Sequence, residues 1–521
     1  YLELNALTII EENDGVINPG EEVSLGVTLE NVTSNIAENV VGELSCTELE
    51  IVDGDIYFGE ILPMSLSTEG DSSLSIQIPI DIVIANKECV LNILLHNQNN
   101  DIYEYEFQIT IPVRLDQHGF PILTNQILSS PALVDLDGDG IDEIVITDNE
   151  GTVSIFSIEG DEHCTFDTGN QIWGSAAAAD MDGDGCHETE DYDRDGQLDI
   201  AIATYRGQPL LLRGVRGARF VDVTAQMGLK AWESTGNKVN SLAGWIDVDG
   251  DSFPELMLGD YIYHNNSGRG FEDMTERSGV DFKREPMGLC VADYDCDGRL
   301  DFYIPYQMEV PGSRKGQTVP WIGDNQSGVV NALWHNEGNG HFRNVSKEAG
   351  ASGGLGKSFA ASWFFFDKDH FPDLYIANDF GANVMLRNRG DGTFEDISEE
   401  SRASDYATSM GVASGDLDND GTAELYVANM YSKMGRRIIG QVNEGDYPRG
   451  IFPQIKGSCA GSRLYHRQEG AAVFGEKSVA LGVNTVGWAY GPAFVDIDSD
   501  GLLDLYATTG FMSFDRRKPD G

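Results

Sequence analysis

Basic residues are scarce: 34 Lys plus Arg stand against 86 Asp plus Glu in 521 residues, for a formal charge of -52. Such a surface repels phosphate backbones and anionic lipid, which excludes nucleic acid as a partner. Long apolar runs are missing as well. No stretch approaches the ~18 to 20 consecutive apolar residues that cross a bilayer, so no membrane insertion is expected. Cysteine is sparse, seven in all, and no CxxC or CxxCH pattern occurs, which argues against a zinc ribbon, a redox pair or a c-type haem. Cys46 and Cys89 sit at strand edges and Cys164 and Cys186 are close in sequence, so two disulfides are conceivable in an oxidising compartment. Cys290, Cys296 and Cys459 then leave at least one thiol unpaired, packed as a small hydrophobe. Catalytic signatures are missing too: there is no HExxH, GxSxG, P-loop or dinucleotide fingerprint, and the nine histidines are scattered. No catalytic or cofactor-binding residue is assigned, and the expectation is a protein that is not an enzyme. The numbering starts at Tyr1 without a leader, so a signal peptide removed upstream of it is expected.

What is present is apolar enough to fold. Hydrophobic residues make up 41% and aromatics 9%, and 60 glycines point to many tight turns in a β-rich chain. The length suggests more than one domain. Over residues 1–117, alternating apolar runs at Leu2–Ile10, Glu22–Val32, Val40–Cys46, Leu74–Ile80, Cys89–Leu95 and Ile102–Val113 read as an antiparallel β-sandwich. Between the first two lies Glu12-Asn13-Asp14-Gly15-Val16-Ile17-Asn18-Pro19-Gly20-Glu21, a turn rich in oxygen ligands. It suits a cation or an ordinary Asx-type turn. The segment resembles the opening of Ig-like modules in large secreted bacterial proteins, which implies an Ig-like domain over 1–117.

From residue 118 the sequence repeats itself. Seven loops follow the template Asp-x-Asp-x-Asp-Gly-x-x-(Asp/Glu), with carboxylates at positions 1, 3, 5 and 9 and a backbone carbonyl at position 7. They are Asp135, Asp137, Asp139 and Glu143 with Ile141; Asp180, Asp182, Asp184 and Glu188 with Cys186; and Asp191, Asp193, Asp195 and Asp199 with Gln197. Next come Asp247, Asp249, Asp251 and Glu255 with Phe253, and Asp293, Asp295, Asp297 and Asp301 with Arg299. The last two are Asp416, Asp418, Asp420 and Glu424 with Thr422, and Asp496, Asp498, Asp500 and Asp504 with Leu502. Oxygen donors at this spacing suit Ca²⁺; Mg²⁺ demands a tighter octahedron, and Zn²⁺ calls for His or Cys, which the loops do not supply at ligand positions. An EF-hand begins alike but needs Glu at position 12 and flanking helices. Here position 12 holds Ile146, Ile202, Leu258, Ile304, Val427 and Ala507, and each loop runs into an alternating strand such as Glu143-Ile144-Val145-Ile146. These loops read as calcium hairpins between strands.

Two places depart from the pattern. In Phe365-Phe366-Asp367-Lys368-Asp369-His370-Phe371-Pro372-Asp373, a Phe replaces the first carboxylate and His370 the turn glycine, so no calcium is expected there. The loops at Asp180 and Asp191 lie back to back, and two adjacent ions are expected. About six or seven structural Ca²⁺ follow. Seven would return +14 and leave -38, so repulsion is relieved locally. Affinities of about 10⁻⁴ to 10⁻³ M, usual for extracellular modules, fit a secreted or cell-surface protein.

A second repeated line, Leu-x-x-Asn-x-Gly-x-Gly-x-Phe, recurs at Leu333–Phe342 and Leu386–Phe394, and in weaker copies at Ile262–Phe271 and Leu211–Phe220. First ligands at 135, 191, 247, 293, 365, 416 and 496 set a period near 45 to 55 residues with longer steps at insertions. Four strands per period predict an all-β, seven-bladed β-propeller over 118–521, closed by a strand near Phe120–Leu123 or by further chain. These loops, the Leu-x-x-Asn line, Asp373-Leu374-Tyr375-Ile376-Ala377-Asn378-Asp379 and Glu424-Leu425-Tyr426-Val427-Ala428-Asn429-Met430 resemble FG-GAP/VCBS repeat proteins, especially the cartilage acidic protein and ASPIC/UnbV group. The resemblance implies an integrin-α-like propeller, secretion, calcium, and adhesion or matrix contact.

Insertions fall at about 306–330 and 430–460, after the strand that follows a loop, and so at the end of the unit opposite the hairpins. Met430–Ala460 inverts the charge balance, with Lys433, Arg436, Arg437, Arg449 and Lys456 against two acids. It suits an acidic partner or serves as a loop that neutralises nearby turns. The expected role is a calcium-stabilised extracellular adhesion or assembly protein. Its partners are other extracellular proteins or copies of itself, with glycans as a further class. The alternative is a carbohydrate-binding or polysaccharide-cleaving propeller.

Overall fold

The structure is a computed structural model that describes residues 2–10, 17, 22–68, 74–79, 86–97, 99, 101–113, 122, 124–136, 141–158, 160–172, 174–176, 191–204, 208–215, 219–230, 242–282, 286–307, 328–367, 369–441, 443–447, 450–467, 473–496 and 501–510. It divides into two compact units, one of residues 1–122 and 480–482, the other of 123–479 and 483–521.

In the first unit, one antiparallel sheet orders Leu2–Ile10, Glu22–Asn31, Leu74–Gln77 and Glu50–Asp53, with Ser65–Thr68 also on Glu22–Asn31. The other orders Asp55–Ile61, Ala37–Cys46, Asn86–His96 and Ile102–Pro112. Period-two alternation buries Val23, Leu25, Val27 and Leu29 on one sheet and Leu91, Ile93 and Leu95 on the other, in one shared core. Cys46 and Cys89 face each other in register and form a disulfide. Three strands here, Glu50–Asp53, Asp55–Ile61 and Ser65–Thr68, are not among those expected from the sequence, because exposed Val52, Tyr57 and Leu66 blur their alternation. Of the oxygen-rich turn 12–21, only Ile17 lies within the described residues, bridged in parallel to Val113. The pairing of Cys164 with Cys186 lies outside them too, since Cys186 does.

The second unit is a succession of antiparallel meanders, mostly β and propeller-like. Four strands follow one another at Ala132–Val134, Glu143–Thr147, Thr152–Phe156 and Glu162–Asp167. Three occur at Ile200–Ile202, Leu210–Val215 and Arg219–Asp222. Four-strand sheets start again at Ala243–Ile246 and at Cys290–Ala292. Two further meanders, starting at Ser358–Phe364 and Tyr406–Gly415, are joined into one eight-stranded sheet by pairing of Asp379, Gly381 and Ala382 with Thr408, Ala407 and Tyr406. The last sheet pairs Ala489–Val495 with Asp504–Thr509. The two ends of this unit meet: the Thr508 hydroxyl donates to the Ser129 carbonyl at 2.8 Å, and Gly491 packs so tightly on Ser130 that a Cβ there would lie 2.1 Å from its Cα. The joining segment is 127–130; of the expected closing strand at 120–123, only Ile122 is described.

The 430–460 insertion is helical where a loop was expected: Lys433–Ile439, capped by the Ser432 hydroxyl accepting from the Gly435 amide, and Ile451–Gly457. It leaves from Asn429, the end of its strand away from the acidic loop. Among the described residues, no helix is long and apolar enough to cross a membrane.

Candidate metal centres

The acidic loops are hairpin connections with one register. The residue before each loop faces its ninth residue: Val134–Glu143, Ile246–Glu255, Ala292–Asp301, Phe364–Asp373, Gly415–Glu424 and Val495–Asp504. The ninth carboxylate is therefore tied down by backbone before any ion is considered. It accepts the amide of the loop's second residue, from Leu136 at 2.7 Å, Tyr192 at 3.0 Å, Val248 at 2.9 Å, Phe366 at 2.8 Å and Leu417 at 2.9 Å. A second amide reaches Asp199, Asp301 and Asp373 from Gly214, Asn336 and Asn388 at 2.8, 2.7 and 2.7 Å.

First-position carboxylates fold the turn. Asp293 accepts from the amides of Asp297 and Gly298, and Asp416 from those of Asp420 and Gly421. Among the described residues, the sixth position is left-handed at φ 82° for Gly196, 86° for Gly298, 80° for Gly421 and 88° for Gly501. The 247–255 loop departs from the template here: Ser252 takes φ 66° and carries the strain a glycine avoids.

Third-position carboxylates converge with their neighbours. Donor atoms of Asp191, Asp193 and Asp199 lie within 4.8 Å of one another, as do those of Asp247, Asp249 and Asp251, and those of Asp293, Asp295 and Asp297. Burial pushes Asp199 and Asp301 up to about 8 and Glu255 up to about 7, with backbone amides pulling partway back. Asp193, Asp249 and Asp295 are raised by burial and then by adjacent carboxylates. Asp193 Oδ1, Asp295 Oδ1 and Asp301 Oδ2 are buried without a hydrogen-bond partner. Crowded, raised carboxylates with orphaned oxygens fit a hard divalent cation, which returns each to its ionised form.

Sequence alone did not expose the residue across the strand from the ninth carboxylate. It is Arg213 opposite Asp199, His264 opposite Glu255, His335 opposite Asp301, Arg387 opposite Asp373 and His466 opposite Glu424, each one place beyond the end of the strand pairing. His264 Nδ1 lies 2.9 Å from Glu255, His335 Nδ1 3.2 Å from Asp301, and His466 Nδ1 2.9 Å from Glu424. The signal was available: each of the first four sits just before the Asn position of the Leu-x-x-Asn line. That Asn is itself a clamp between meanders. Asn336 Nδ2 donates to the carbonyls of Leu300 in its own hairpin and Val248 in the preceding one, at 3.1 and 3.0 Å; Asn265 and Asn388 repeat this with Tyr192 and Tyr294.

At the degenerate loop, Phe365 is 54% exposed and Asp373 keeps both amides, yet guanidinium groups stand nearby. Arg387 is within electrostatic reach of Asp367 and Asp373 while pairing with Glu395. Arg467, one residue past His466 in the next meander, lies 4.4 Å over the Phe366 ring and also reaches both aspartates. The Asp180, Asp182, Asp184, Cys186 and Glu188 set, Asp137, Asp139, Asp498 and Asp500 lie outside the described residues; Asp135, Ile141, Asp496, Leu502 and Asp504 lie within them.

The FG-GAP-like repeat family matches at 135–188, 247–304 and 366–427, each span opening at or one residue after a hairpin's first position. The chain carries FG-GAP-like repeats. These spans cover the loops at 135–143, 180–188, 247–255, 293–301 and 416–424, while those at 191–199 and 496–504 lie outside them. The chain is also similar to cartilage acidic protein 1 of Homo sapiens, 24% identical over 60% of this chain and 54% of that protein. For the same protein of Xenopus tropicalis the identity is 24% over 60% of this chain and 55% of that protein. The chain thus spans about half the length of the curated relatives it matches. Among solved structures, a BBS1N chain in complex with ARL6DN aligns over 65% of this chain and 84% of that one, at TM-score 0.34 and 10% identity, which is too remote to support an argument.

Proposed function

We propose that the chain is a calcium-stabilised extracellular protein that acts through protein–protein contacts, built as an Ig-like domain followed by a seven-bladed FG-GAP/VCBS propeller. The observation that carries calcium is the orphaned buried Oδ1 of Asp193 inside the all-carboxylate cluster of Asp191, Asp193 and Asp199. The name of the similar cartilage acidic protein 1 supports an extracellular setting. Among the acidic loops, the one at 365–373 holds no ion, because Phe365 replaces its first carboxylate while Arg387 and Arg467 reach Asp367 and Asp373. Contact with an acidic partner, including a second copy of this chain, falls to the helical insertion. Arg436 and Arg437 are exposed beside Ile438 (56%) and Tyr447 (37%), on a chain that is otherwise strongly acidic. No catalytic step is assigned.

The test is sedimentation of the purified chain with Ca²⁺ and with chelator, alongside thermal unfolding. Ca²⁺-dependent stabilisation and a self-association lost in Arg436→Glu/Arg437→Glu support the reading; a melting curve indifferent to Ca²⁺ removes it. Binding of glycans is the second reading, favoured by the Phe359–Tyr490 ring pair, 6.2 Å apart, near Asp379, which is 6% exposed with an unpartnered Oδ1. A glycan array unaffected by Tyr490→Ala counts against it.

A further inference from the structure

The hairpins differ most in what stands across the strand. We propose that Asp295–Asp301–His335 is a nitrogen-containing centre for a borderline divalent transition ion of the zinc class, unlike the 191–199 loop, which offers only oxygen. This rests on the reading that these hairpins hold divalent cations.

In this centre the third-position carboxylate Asp295, the ninth-position Asp301 and an imidazole nitrogen of His335 lie within 4.8 Å of one another. His335 Nδ1 is 3.2 Å from Asp301 Oδ1 and 3.5 Å from Asp295 Oδ2. Ligands held ~2.0 to 2.2 Å from one ion are separated by about 2.9 to 3.5 Å, so these edges match a shared metal. Direct hydrogen bonding explains them less well. His335 Nδ1 has no hydrogen-bond partner despite its closeness, and Asp301, with no exposed surface, keeps Oδ2 unpartnered. An ion between the three groups uses the nitrogen lone pair and the carboxylate charge together. The donors are also held in place: the Asn336 amide fixes Asp301 at 2.7 Å, and Asn336 is itself clamped to two hairpins. His264 and His466 differ: each Nδ1 is hydrogen-bonded at 2.9 Å, to Glu255 and Glu424, which accounts for those contacts without an ion.

Donor chemistry then sets selectivity. Ca²⁺ takes oxygen ligands, whereas imidazole beside carboxylates favours Zn²⁺ and its neighbours in the first transition row. The 191–199 hairpin is the internal contrast. Arg213 occupies the same place, 3.9 Å from Asp193, and a guanidinium has no lone pair to give.

The full chain, saturated with Ca²⁺, is titrated with Co²⁺ and followed by its visible absorption, then with Zn²⁺ as competitor. The expected result is a Co²⁺ band displaced by Zn²⁺ and resistant to further Ca²⁺. One equivalent should weaken at least tenfold in His335→Gln, with His264→Gln and Arg213→Gln unchanged. Circular dichroism checks that each variant is folded, and His335→Asn replaces His335→Gln if it is not. A Co²⁺ response that His335→Gln leaves intact, or no response in a chain that binds Ca²⁺, overturns this inference and spares the calcium reading. Failure of every cation to bind overturns both.

Discussion

The hairpins at 293–301 and 365–373 lie in consecutive meanders and share a register, a buried ninth carboxylate and a backbone amide donated to it by the Asn of the following strand. They differ in how the negative charge is met. At 293–301 the first position is Asp293 and the cross-strand residue is His335; at 365–373 the first position is Phe365, with Arg387 across the strand and Arg467 over the neighbouring ring. Hairpin geometry therefore survives the loss of the first carboxylate, because backbone amides hold the ninth. On the proposed reading, what changes is whether the compensating charge arrives as an ion or as a side chain. On that reading, a cluster that keeps its first carboxylate couples folding to the cation supply, while the loop that has lost it does not.

Chelation breaks the comparison most strongly. Each occupied site at about 100 times its Kd adds about 2.7 kcal/mol, so removing Ca²⁺ should lower the melting temperature of the second unit and leave the apolar core of the first largely unmoved, as read by calorimetry with and without chelator. In chelator the pH dependence has a definite sign. Asp199 and Asp301 titrate near 8 and Glu255 near 7 in the fold, above their unfolded values near 4, so the folded state binds more protons in that window. Metal-free stability should be greatest near pH 4 to 5 and fall as pH rises through 7 to 8. A rise over that range would show that these carboxylates are not buried as described.

Next in size, Asp301→Asn should cost about 2 kcal/mol and one bound ion, whereas Asp373→Asn should cost similar stability and no ion. Metal stoichiometry by elemental analysis separates the two, and equal losses would erase the contrast between the hairpins. Asn336→Ala, which strips partners from the Val248 and Leu300 carbonyls, should cost about 1 to 2 kcal/mol in chemical denaturation; an unchanged midpoint would deny the clamp. The smallest expected effect is the repair of the degenerate loop. Phe365→Asp with His370→Gly and Arg387→His should add at most one weak Ca²⁺ equivalent by calorimetric titration, and a tight new site would mean that Arg467 contributes little.

Much of this was legible because both signals are local. The Asp-x-Asp-x-Asp-Gly spacing and the alternating run after it lie within a dozen residues, so hairpins rather than EF-hands could be read directly, and Phe365 and His370 marked the degenerate copy. The edge strands at 50–68 escaped because half their apolar residues face solvent. The helices at 433–439 and 451–457 escaped because each is too short to display a helical period.

Sequence by itself determined the repeat, the β-rich hairpins, the acidic ligand sets and the inverted charge of the 430–460 insertion, since each is a matter of spacing or composition within one segment. Only the tertiary structure decided that His335 faces Asp301 from the next strand, that Asn336 reaches back to Val248, and that Arg467 serves the preceding meander. Those relations depend on strand register and on the packing of one meander against the next, where a shift of one residue would send each side chain to the opposite face.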